Sequence, residues 1–290
     1  MQRSVDSGRV AGGAVVITGT STGIGRACAL RLDASGFDVF ATVRREEDAE
    51  SLRSEAPGVR PLVVDVTDQE GVAAAAREVD EAVGDRGVAG LVNNAGMSVG
   101  GPLEFLPLDD LRRQLEVNLV AHVGVTQAFL PAIRRATGRI VNMTSVGGRI
   151  ANPFLGPYHA SKWGLEAVSD SLRKELRPWG IRVIAVEPGS IDTEIWRKGT
   201  EQAEELAAGL PEAGHRLYDD KIPKMLKMAQ RLAKSAIPAD RVAKVVERAL
   251  TVDRPRARYV VGVDARALLA LNGVLPDRAY DALEARLMGI

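Results

Sequence analysis

The sequence predicts an α/β protein in which one doubly wound parallel sheet forms a single domain, and three observations support this. Short runs rich in β-branched residues recur along the chain, and helix-length segments separate them. The runs are apolar enough to be covered by helices on both faces. The chain has 290 residues, 46% of them hydrophobic, which suffices for one large core. The seven predicted strands cover residues 14–18, 39–43, 59–65, 88–92, 139–143, 182–186 and 258–261.

Composition excludes several classes of partner. The formal net charge is zero, so no basic field is available to hold nucleic acid. The single cysteine, Cys28, lies in an apolar helical stretch and is predicted to be a buried thiol. The N-terminus lacks the apolar region of a signal peptide, and no apolar run is long enough to span a bilayer. We therefore expect a soluble, cytoplasmic protein.

Three segments are distinguished from the sheet. Residues 1–12 are polar and Gly-rich and are predicted to be flexible, while residues 13–265 form the domain. Residues 195–238 are helix-rich and too long for an ordinary connection, which favours a helical substrate lid; a helix pair packed on the core is the alternative. The amphipathic tail, residues 266–290, is expected to pack on the core or cover the cleft, with a dimer contact or a membrane surface as alternatives.

A glycine-rich turn follows the first predicted strand. Residues 18–25 read Thr-Gly-Thr-Ser-Thr-Gly-Ile-Gly and lead into a helical pattern. Glycines allow a tight turn and let backbone N–H groups approach a pyrophosphate at the helix N-terminus. This predicts a Rossmann-type dinucleotide site formed by Gly19, Ser21, Thr22, Gly23, Ile24 and Gly25.

The end of the second strand indicates which dinucleotide is bound. An acidic residue there would accept hydrogen bonds from the ribose 2′-hydroxyl, but this strand ends in Val43-Arg44-Arg45. A guanidinium suits a 2′-phosphate through charge-assisted hydrogen bonds. NADP(H) is therefore favoured, with Arg44 as the main contact and Arg45 as its support, and NAD(H) is the alternative.

A tyrosine and a lysine lie one helical turn apart. Tyr158 and Lys162 are four residues apart and so share one face of a helix. A nearby ammonium and the positive nicotinamide ring both favour the phenolate form of a tyrosine. The pair alone is a common chance pattern, but Ser145 follows the fifth strand, where open α/β sheets place ligands. We therefore predict that Tyr158 is a general acid and base and that Ser145 holds the substrate oxygen.

In order and spacing, these motifs resemble those of the short-chain dehydrogenase/reductases over roughly residues 14–261. The matching positions are Gly19, Gly23, Gly25, Asp65, Asn93, Asn94, Ala95, Gly96, Asn118, Ser145, Tyr158, Lys162, Pro188 and Gly189. The resemblance implies a catalytic set of Asn118, Ser145, Tyr158 and Lys162. In that set Lys162 binds the nicotinamide ribose and lowers the pKa of Tyr158, and the main-chain carbonyl of Asn118 holds a relay water. It also implies cofactor contacts from Asp65, Val66, Asn93, Ala95, Gly96, Asn118, Tyr158, Lys162, Pro188, Gly189, Ile191 and Thr193.

A narrower likeness concerns the substrate. Residues 39–44 and 258–265, with Leu275-Pro276, resemble the branch that handles steroids, retinoids and other lipophilic alcohols. This implies interconversion of an alcohol with a ketone or aldehyde. The expected substrate residues are Ser145, Val146, Gly147, Phe154, Leu155, Tyr158, Trp196 and Met225. The alternatives are reduction of a small ketone, a sugar or a 3-oxoacyl thioester, and a non-catalytic dinucleotide-sensing scaffold.

Other polar and aromatic residues near these motifs are interpreted as structural. His159 adjoins Tyr158 but points elsewhere on the helix, so a structural or cleft-edge role is expected, and Asn94 and Asn142 are expected to hold backbone rather than substrate. Trp163 and Trp179 are expected to pack, and His122 and His215 lack metal-ligand spacing, so no metal site is predicted. The family commonly forms dimers or tetramers through the helices that contain Asn118 and Tyr158. A homodimer or homotetramer is the expected assembly.

Overall fold

A seven-stranded parallel sheet forms the centre of the protein. The computed structural model describes residues 12–289, so residues 1–11 of the predicted flexible N-terminus lie outside the described residues. The strands are β1 (Ala14–Ile17), β2 (Asp38–Val43), β3 (Arg60–Val63), β4 (Val88–Asn93), β5 (Arg139–Met143), β6 (Arg182–Pro188) and β9 (Arg258–Val261). Their order is β3-β2-β1-β4-β5-β6-β9. All seven predicted strands are confirmed, and the order reverses between β1 and β4, where doubly wound sheets bind ligands.

Helices cover both faces of the sheet. They are α1 (Gly23–Ala34), α2 (Glu46–Glu55), α3 (Gln69–Val83), α4 (Leu108–Leu115), α5 (Ala121–Ala136), α6 (Gly156–Glu175), α7 (Glu194–Ala208), α8 (Glu212–Tyr218), α9 (Ile222–Lys234), α10 (Ala239–Thr251), α11 (Val263–Val274) and α12 (Asp277–Met288). On one face α1 packs against α10, and on the other α3 packs against α5. Each face has its own apolar core, which confirms the doubly wound architecture.

Cys28 lies on α1 in the first of these cores. Its side chain is fully buried, as predicted. Burial raises the pKa of the thiol to about 12, so the thiol stays protonated and unreactive at neutral pH.

Three helices make up the segment predicted as a lid. They are α7, α8 and α9, and a two-residue strand at each end closes the segment, because β7 (Ile191–Asp192) pairs with β8 (Ile237–Pro238). Tyr218, at the end of α8, packs edge to face on Phe105 and Phe154 with ring centroids 5.9 Å apart in both pairs. Its hydroxyl donates to a carboxylate oxygen of Glu104 at 3.0 Å. The segment is therefore anchored to two loops at the carboxyl edge of the sheet.

The C-terminal tail forms α11 and α12. Tyr280 is its buried anchor on α12, and the Glu284 carboxylate accepts a hydrogen bond from the Asn152 amide in the loop after β5. Several apolar side chains of α11 are exposed instead, including Val263 and Val274. Within residues 12–289 no helix is both long and apolar enough to cross a membrane.

Candidate active site

The glycine-rich turn folds tightly between β1 and α1. Gly19 has a positive φ of 70°, and a Cβ there would lie 2.7 Å from the Cα of Ala95. A Cβ on Gly25 would lie 2.1 Å from the carbonyl oxygen of Gly19. Only glycine allows both approaches, so the first turn of α1 sits directly on the loop that precedes it.

The N-terminus of α1 is open to an anion. Its N-cap, Thr22, makes no side-chain capping hydrogen bond, so the first N–H groups of the helix are left to a ligand. The side chains of Thr42 and Asn94 hold the backbone of the turn. Thr42 Oγ1 accepts from the Gly19 N–H at 3.1 Å. Asn94 Nδ2 donates to the carbonyls of Thr18 and Gly19, which fits the backbone-holding role predicted for Asn94. These features fit a dinucleotide pyrophosphate, as the glycine spacing predicts.

The two arginines after β2 are held differently. Arg45 Nε and Nη2 donate to the Asp48 carboxylate at 3.0 and 3.1 Å, so this guanidinium is already paired with a side chain of α2. Arg44 is exposed and forms no ion pair among the described residues. It lies close enough to Asp65 for its charge to act on that carboxyl.

Asp65 lies beyond β3 beside Arg44. Burial raises its pKa, but hydrogen bonds from Thr67 and the charge of Arg44 bring the net pKa below its usual value. Thr67 donates to Asp65 Oδ1 through its N–H at 2.9 Å and its hydroxyl at 2.7 Å. Val66, the neighbouring residue that is also expected to contact the cofactor, is buried in the core under this loop.

The segment after β4 runs past the glycine turn. Ala95 lies against Gly19, and Gly96 is exposed beside it. The side chain of Asn93 turns inward, where Nδ2 donates to Thr126 Oγ1 and Asn142 Oδ1 at 2.9 Å each. Any cofactor contact from Asn93 would therefore use its backbone. Asn142 is structural as well, because its Nδ2 donates to Ser169 Oγ at 2.8 Å.

Asn118 lies in a π-helical turn, Glu116–Val120, between α4 and α5. Its fully buried amide accepts from the Met97 N–H and donates to the Met97 carbonyl, at 2.9 Å each. It also donates to Ser161 Oγ at 3.2 Å, next to Lys162 on α6. Such π turns interrupt the regular hydrogen bonding of a helix and recur at functional sites.

Ser145, Tyr158 and Lys162 converge at the end of β5. Ser145 Oγ accepts from the Gly147 N–H at 3.0 Å and lies beside the Tyr158 hydroxyl. Lys162 Nζ donates to the Met143 carbonyl at 2.8 Å and lies 5.8 Å from the centroid of the Tyr158 ring. The structure thus brings together the three side chains that the sequence predicts to act on a substrate oxygen.

Burial dominates the proton affinities of this cluster. It raises the pKa of Tyr158, and the hydrogen bond from Ser145 opposes that shift only in part. It lowers the pKa of Lys162 to about 8, against the charge of Glu166. The chain's own groups therefore keep Tyr158 protonated at neutral pH, ready to donate a proton, and the lowering expected from Lys162 is not among the causes of its shift.

The turn after β6 completes the predicted cofactor cleft. The Pro188 carbonyl accepts from Ser145 Oγ at 3.4 Å, and Ile191 is buried behind the turn. A Cβ on Gly23 would lie 3.1 Å from Thr193 Cγ2, so this turn reaches the glycine-rich turn across the cleft. Asp264, which sequence reasoning did not assign to the site, accepts from the Ser190 N–H at 2.9 Å.

The predicted substrate residues fall into two groups. Val146 and Gly147 lie in the short turn that follows Ser145, and a Cβ on Gly147 would lie 3.2 Å from the Tyr158 ring. Phe154 and Leu155 precede α6, Trp196 begins the lid on α7, and Met225 is half-buried on α9. Phe154 has a positive φ of 67°, an uncommon conformation for a bulky residue that marks functional sites. Met225 therefore lies in the segment predicted to be a lid and not in the turn that follows Ser145.

Two groups of neighbouring residues differ in how they pack. His159 is buried, with Nδ1 2.8 Å from the Gly147 carbonyl and Nε2 accepting from the Asn152 N–H at 2.9 Å, which agrees with the structural role among the two expected. Its ring nevertheless lies edge to face with that of Tyr158, with centroids 5.8 Å apart. Trp163 and Trp179 are both half-exposed, so the packing expected of them takes place at the surface rather than in the core. The Arg134 guanidinium lies over the ring of Trp179, with its Cζ 4.8 Å from the ring centroid.

Comparison with known proteins shows to which family this chain is similar. Residues 13–204 match the family model of the short chain dehydrogenases. The chain is 36% identical to an NADPH-dependent 3-dehydrocapnine reductase of Ornithobacterium rhinotracheale, over 92% of this chain and 94% of the relative. It is 41% identical to human retinol dehydrogenase 5, over 93% of this chain and 86% of the relative. A short chain dehydrogenase from Burkholderia cenocepacia in complex with NADP superposes with a TM-score of 0.73 at 28% identity, covering 97% and 99% of the two chains.

Proposed function

Because this chain belongs to the short-chain dehydrogenase/reductase family, we propose that it is an NADP(H)-dependent oxidoreductase that interconverts a lipophilic alcohol and its ketone or aldehyde. The observation that carries the proposal is the convergence of Ser145, Tyr158 and Lys162 at one strand end. In the sheet β5 lies next to β4, and so beside the β1/β4 switch point at which the glycine-rich turn follows β1.

Each catalytic residue has a distinct task in this mechanism. The dinucleotide supplies the hydride. Ser145 Oγ and the Tyr158 hydroxyl hold the substrate oxygen, and in reduction Tyr158 donates its proton to that oxygen as the alkoxide develops. In oxidation Tyr158 accepts the proton of the alcohol. Lys162 would hold the nicotinamide ribose, and the main-chain carbonyl of Asn118, in the π turn, would hold a water through which the proton of Tyr158 is replaced.

The cofactor preference rests on Arg44. Its guanidinium is exposed at the end of β2, while that of Arg45 is held by Asp48. We therefore assign the 2′-phosphate contact to Arg44. The strand end favours NADPH for a second reason, because no acidic side chain precedes Glu46 there. The relative named as an NADPH-dependent reductase supports this preference. NAD(H) is the alternative cofactor.

The substrate class rests on apolar residues at the start of α6, which carries Tyr158, and in the predicted lid. Leu155 directly precedes α6, Phe154 packs edge to face on Tyr218 at the end of α8, and Trp196 lies in the first turn of α7. Aromatic and aliphatic walls with few polar groups favour a lipophilic substrate. The likeness to retinol dehydrogenase 5 supports a substrate of that chemical kind.

The test is a turnover assay with purified protein. NADPH is mixed with a panel of lipophilic and polar carbonyl compounds, and the loss of reduced-cofactor absorbance is followed. We expect turnover of lipophilic members, with roughly 10²- to 10⁴-fold slower turnover in Tyr158→Phe and unchanged NADPH binding. Tyr259→Phe, on β9, is the matched control. Unchanged activity in Tyr158→Phe would overturn the mechanism, and NADPH binding without turnover of any compound would favour the sensing scaffold.

The proposal includes a cytoplasmic homodimer or homotetramer. Val120 on the π turn and Trp163 on α6 expose large apolar side chains on the two helices expected to form the subunit contact. Burial of such side chains between subunits supports association. Light scattering should therefore show that Trp163→Glu is smaller in solution than the wild type, and an unchanged mass would place the contact elsewhere.

A further inference from the structure

The segment that follows β4, residues 94–100, has no regular secondary structure although Ala95, Val99 and Gly100 are buried. Its backbone polar groups must nevertheless find partners, because an unpaired buried N–H or C=O group is costly. In the proposed function this segment lines the cofactor cleft, since Ala95 packs on Gly19. The side chains that bind the backbone of this segment should therefore affect cofactor binding.

Three side chains from one helical stretch supply those partners. Gln114 on α4, Asn118 in the π turn and His122 on α5 are spaced four residues apart. Gln114 Oε1 accepts from the Val99 N–H at 2.7 Å, and its Nε2 donates to the Met97 carbonyl at 2.9 Å.

The same arrangement continues along the helix. Asn118 binds both the N–H and the carbonyl of Met97, and His122 Nε2 lies 2.7 Å from the Ala95 carbonyl. The three side chains therefore meet residues 99, 97 and 95, which alternate along the segment as the hydrogen-bonding positions of a strand do.

The π turn accounts for the alignment of the three side chains. Positions four apart on a regular α-helix drift by about 40° around the axis, so a third member would point away from a straight segment. The wider π turn at Glu116–Val120 opposes that drift in the middle of the set. Gln114 and His122 can then reach the same backbone segment from either side of Asn118.

The three side chains are buried, so water cannot replace their hydrogen-bond partners. Gln114, Asn118 and His122 are almost completely inaccessible to solvent. Burial and the charge of Lys162 lower the pKa of His122 to about 3, so the imidazole is neutral and carries one proton. That proton must lie on Nε2, because the Ala95 carbonyl can only accept. Within residues 12–289, the other nitrogen, Nδ1, has no hydrogen-bond partner.

We propose that Gln114 and His122 are positioning residues that, with Asn118, hold the backbone of residues 95–99 in the shape that receives the cofactor. The proposal rests on the proposed function for its consequence, but the hydrogen bonds themselves are independent of it. Loss of either side chain frees backbone groups of the segment and weakens cofactor binding, while Tyr158, Ser145 and Lys162 keep their places.

Two measurements on the protein without added cofactor test the hydrogen bonds. In ¹⁵N NMR, the protein has only three histidines to assign, and His122 should show the Nε2–H tautomer and no titration between pH 5 and 8. His159 should show the Nδ1–H tautomer, since its Nε2 accepts from Asn152. In Gln114→Leu, the Val99 amide should exchange with solvent roughly tenfold faster or more, while the Met97 amide stays protected by Asn118. An Nδ1–H tautomer at His122, or unchanged exchange at Val99, would overturn the proposal.

Cofactor affinity tests the consequence. We expect roughly tenfold weaker NADPH binding in Gln114→Leu and His122→Phe, measured by fluorescence titration. His122→Gln should recover most of the affinity, because its amide can donate to the Ala95 carbonyl. Gln127→Leu, on the exposed face of α5, is the matched control and should bind as the wild type does.

The outcomes separate the two proposals. If the wild type does not bind NADPH, the proposed function fails while the tautomer and exchange results still decide the role of Gln114 and His122. If His122→Phe folds and binds NADPH as tightly as the wild type, the positioning role is wrong. Equal weakening in His122→Gln and His122→Phe would also overturn it, because it would indicate a general packing defect.

Discussion

Lys162 Nζ donates to the main-chain carbonyl of Met143 at 2.8 Å, two residues before Ser145. The end of β5 thereby positions both the Ser145 hydroxyl, a proposed catalytic group, and the ammonium that lies beside the Tyr158 ring. This arrangement lowers the free energy of unfolding, because the charged ammonium of Lys162 is almost fully buried. A buried lysine that burial makes less basic is typical of a functional site, which agrees with the role proposed for Lys162.

Replacement of this lysine should stabilise the protein while removing its activity. Lys162 has a pKa of about 8 in the folded chain, whereas the ordinary value for a lysine is 10.5. The unfolded chain therefore binds its proton more tightly, at a cost to folding of up to about 3 kcal/mol below pH 8. Lys162→Met removes that cost but loses the Met143 hydrogen bond, so we expect a net gain of about 1–3 kcal/mol at pH 7 and a loss of turnover. Thermal unfolding at pH 7 measures the gain.

The pH dependence of that gain provides the control. The advantage of Lys162→Met should shrink as pH rises from 8 to 10.5, because the folded wild type no longer carries the buried charge. Lys174→Met, at the end of α6, should show neither effect. A destabilised Lys162→Met variant at pH 7 would contradict the argument.

Cofactor preference should depend on one of the two adjacent arginines. Arg44→Asp removes the proposed 2′-phosphate contact and introduces an acid that suits a ribose hydroxyl. NADPH should bind roughly 10- to 100-fold more weakly, and the preference should move toward NADH. Arg45→Gln is the matched control and should change either affinity less than about threefold, because Arg45 is already paired with Asp48. Equal effects at both positions would indicate only a general loss of positive charge.

The glycine-rich turn should not tolerate a single methyl group. In Gly25→Ala the new Cβ would meet the Gly19 carbonyl oxygen and the Asn94 amide, so α1 must move away from the turn. We expect NADPH binding to fall at least tenfold and stability to fall by about 1–3 kcal/mol. Gly273→Ala, on α11 with open space around it, should be neutral or stabilising. Both are measured by fluorescence titration and thermal unfolding, and normal NADPH binding in Gly25→Ala would refute the close approach.

Acid should unfold the protein partly through His122. Its pKa is about 3 in the folded chain, whereas the ordinary value for a histidine is 6.5, so its contribution is complete above pH 6.5 and is lost as pH falls toward 3. That contribution is at most about 5 kcal/mol. Denaturant unfolding from pH 7 to 4 should therefore show a shallower loss of stability in His122→Gln than in the wild type. His215→Gln, at an exposed position, should follow the wild type, and identical slopes in all three proteins would contradict the prediction.

The strands and the glycine-rich turn could be predicted because their signals are local. Apolar runs at helix-length intervals indicate buried parallel strands, and Gly19 and Gly25 occur where a strand meets a helix. The side chains of Ser145, Tyr158 and Lys162 could be brought together from their spacing and from the family resemblance. Their convergence at β5 is what the structure adds.

Contacts between distant segments could not be predicted in the same way. Thr42 Oγ1 and Asp264 each accept from the backbone of a cofactor turn, and neither has a sequence signal that separates it from an ordinary polar residue. Asn93 was expected to line the cleft, but its side chain faces Thr126 and Asn142 in the interior. Side-chain direction at a strand end depends on which neighbours offer partners, and those come from other parts of the chain.

The carboxylate of Asp264 ties the exit of the last strand to the turn after β6. It accepts from the Ser190 N–H, and it lies so close to Gly189 and Gly262 that a Cβ on either glycine would overlap it. A protein engineered to end at residue 262 would keep all seven strands of the main sheet, yet it would lose this brace. Fusion partners and affinity tags are therefore better joined beyond α12 than at the apparent edge of the sheet.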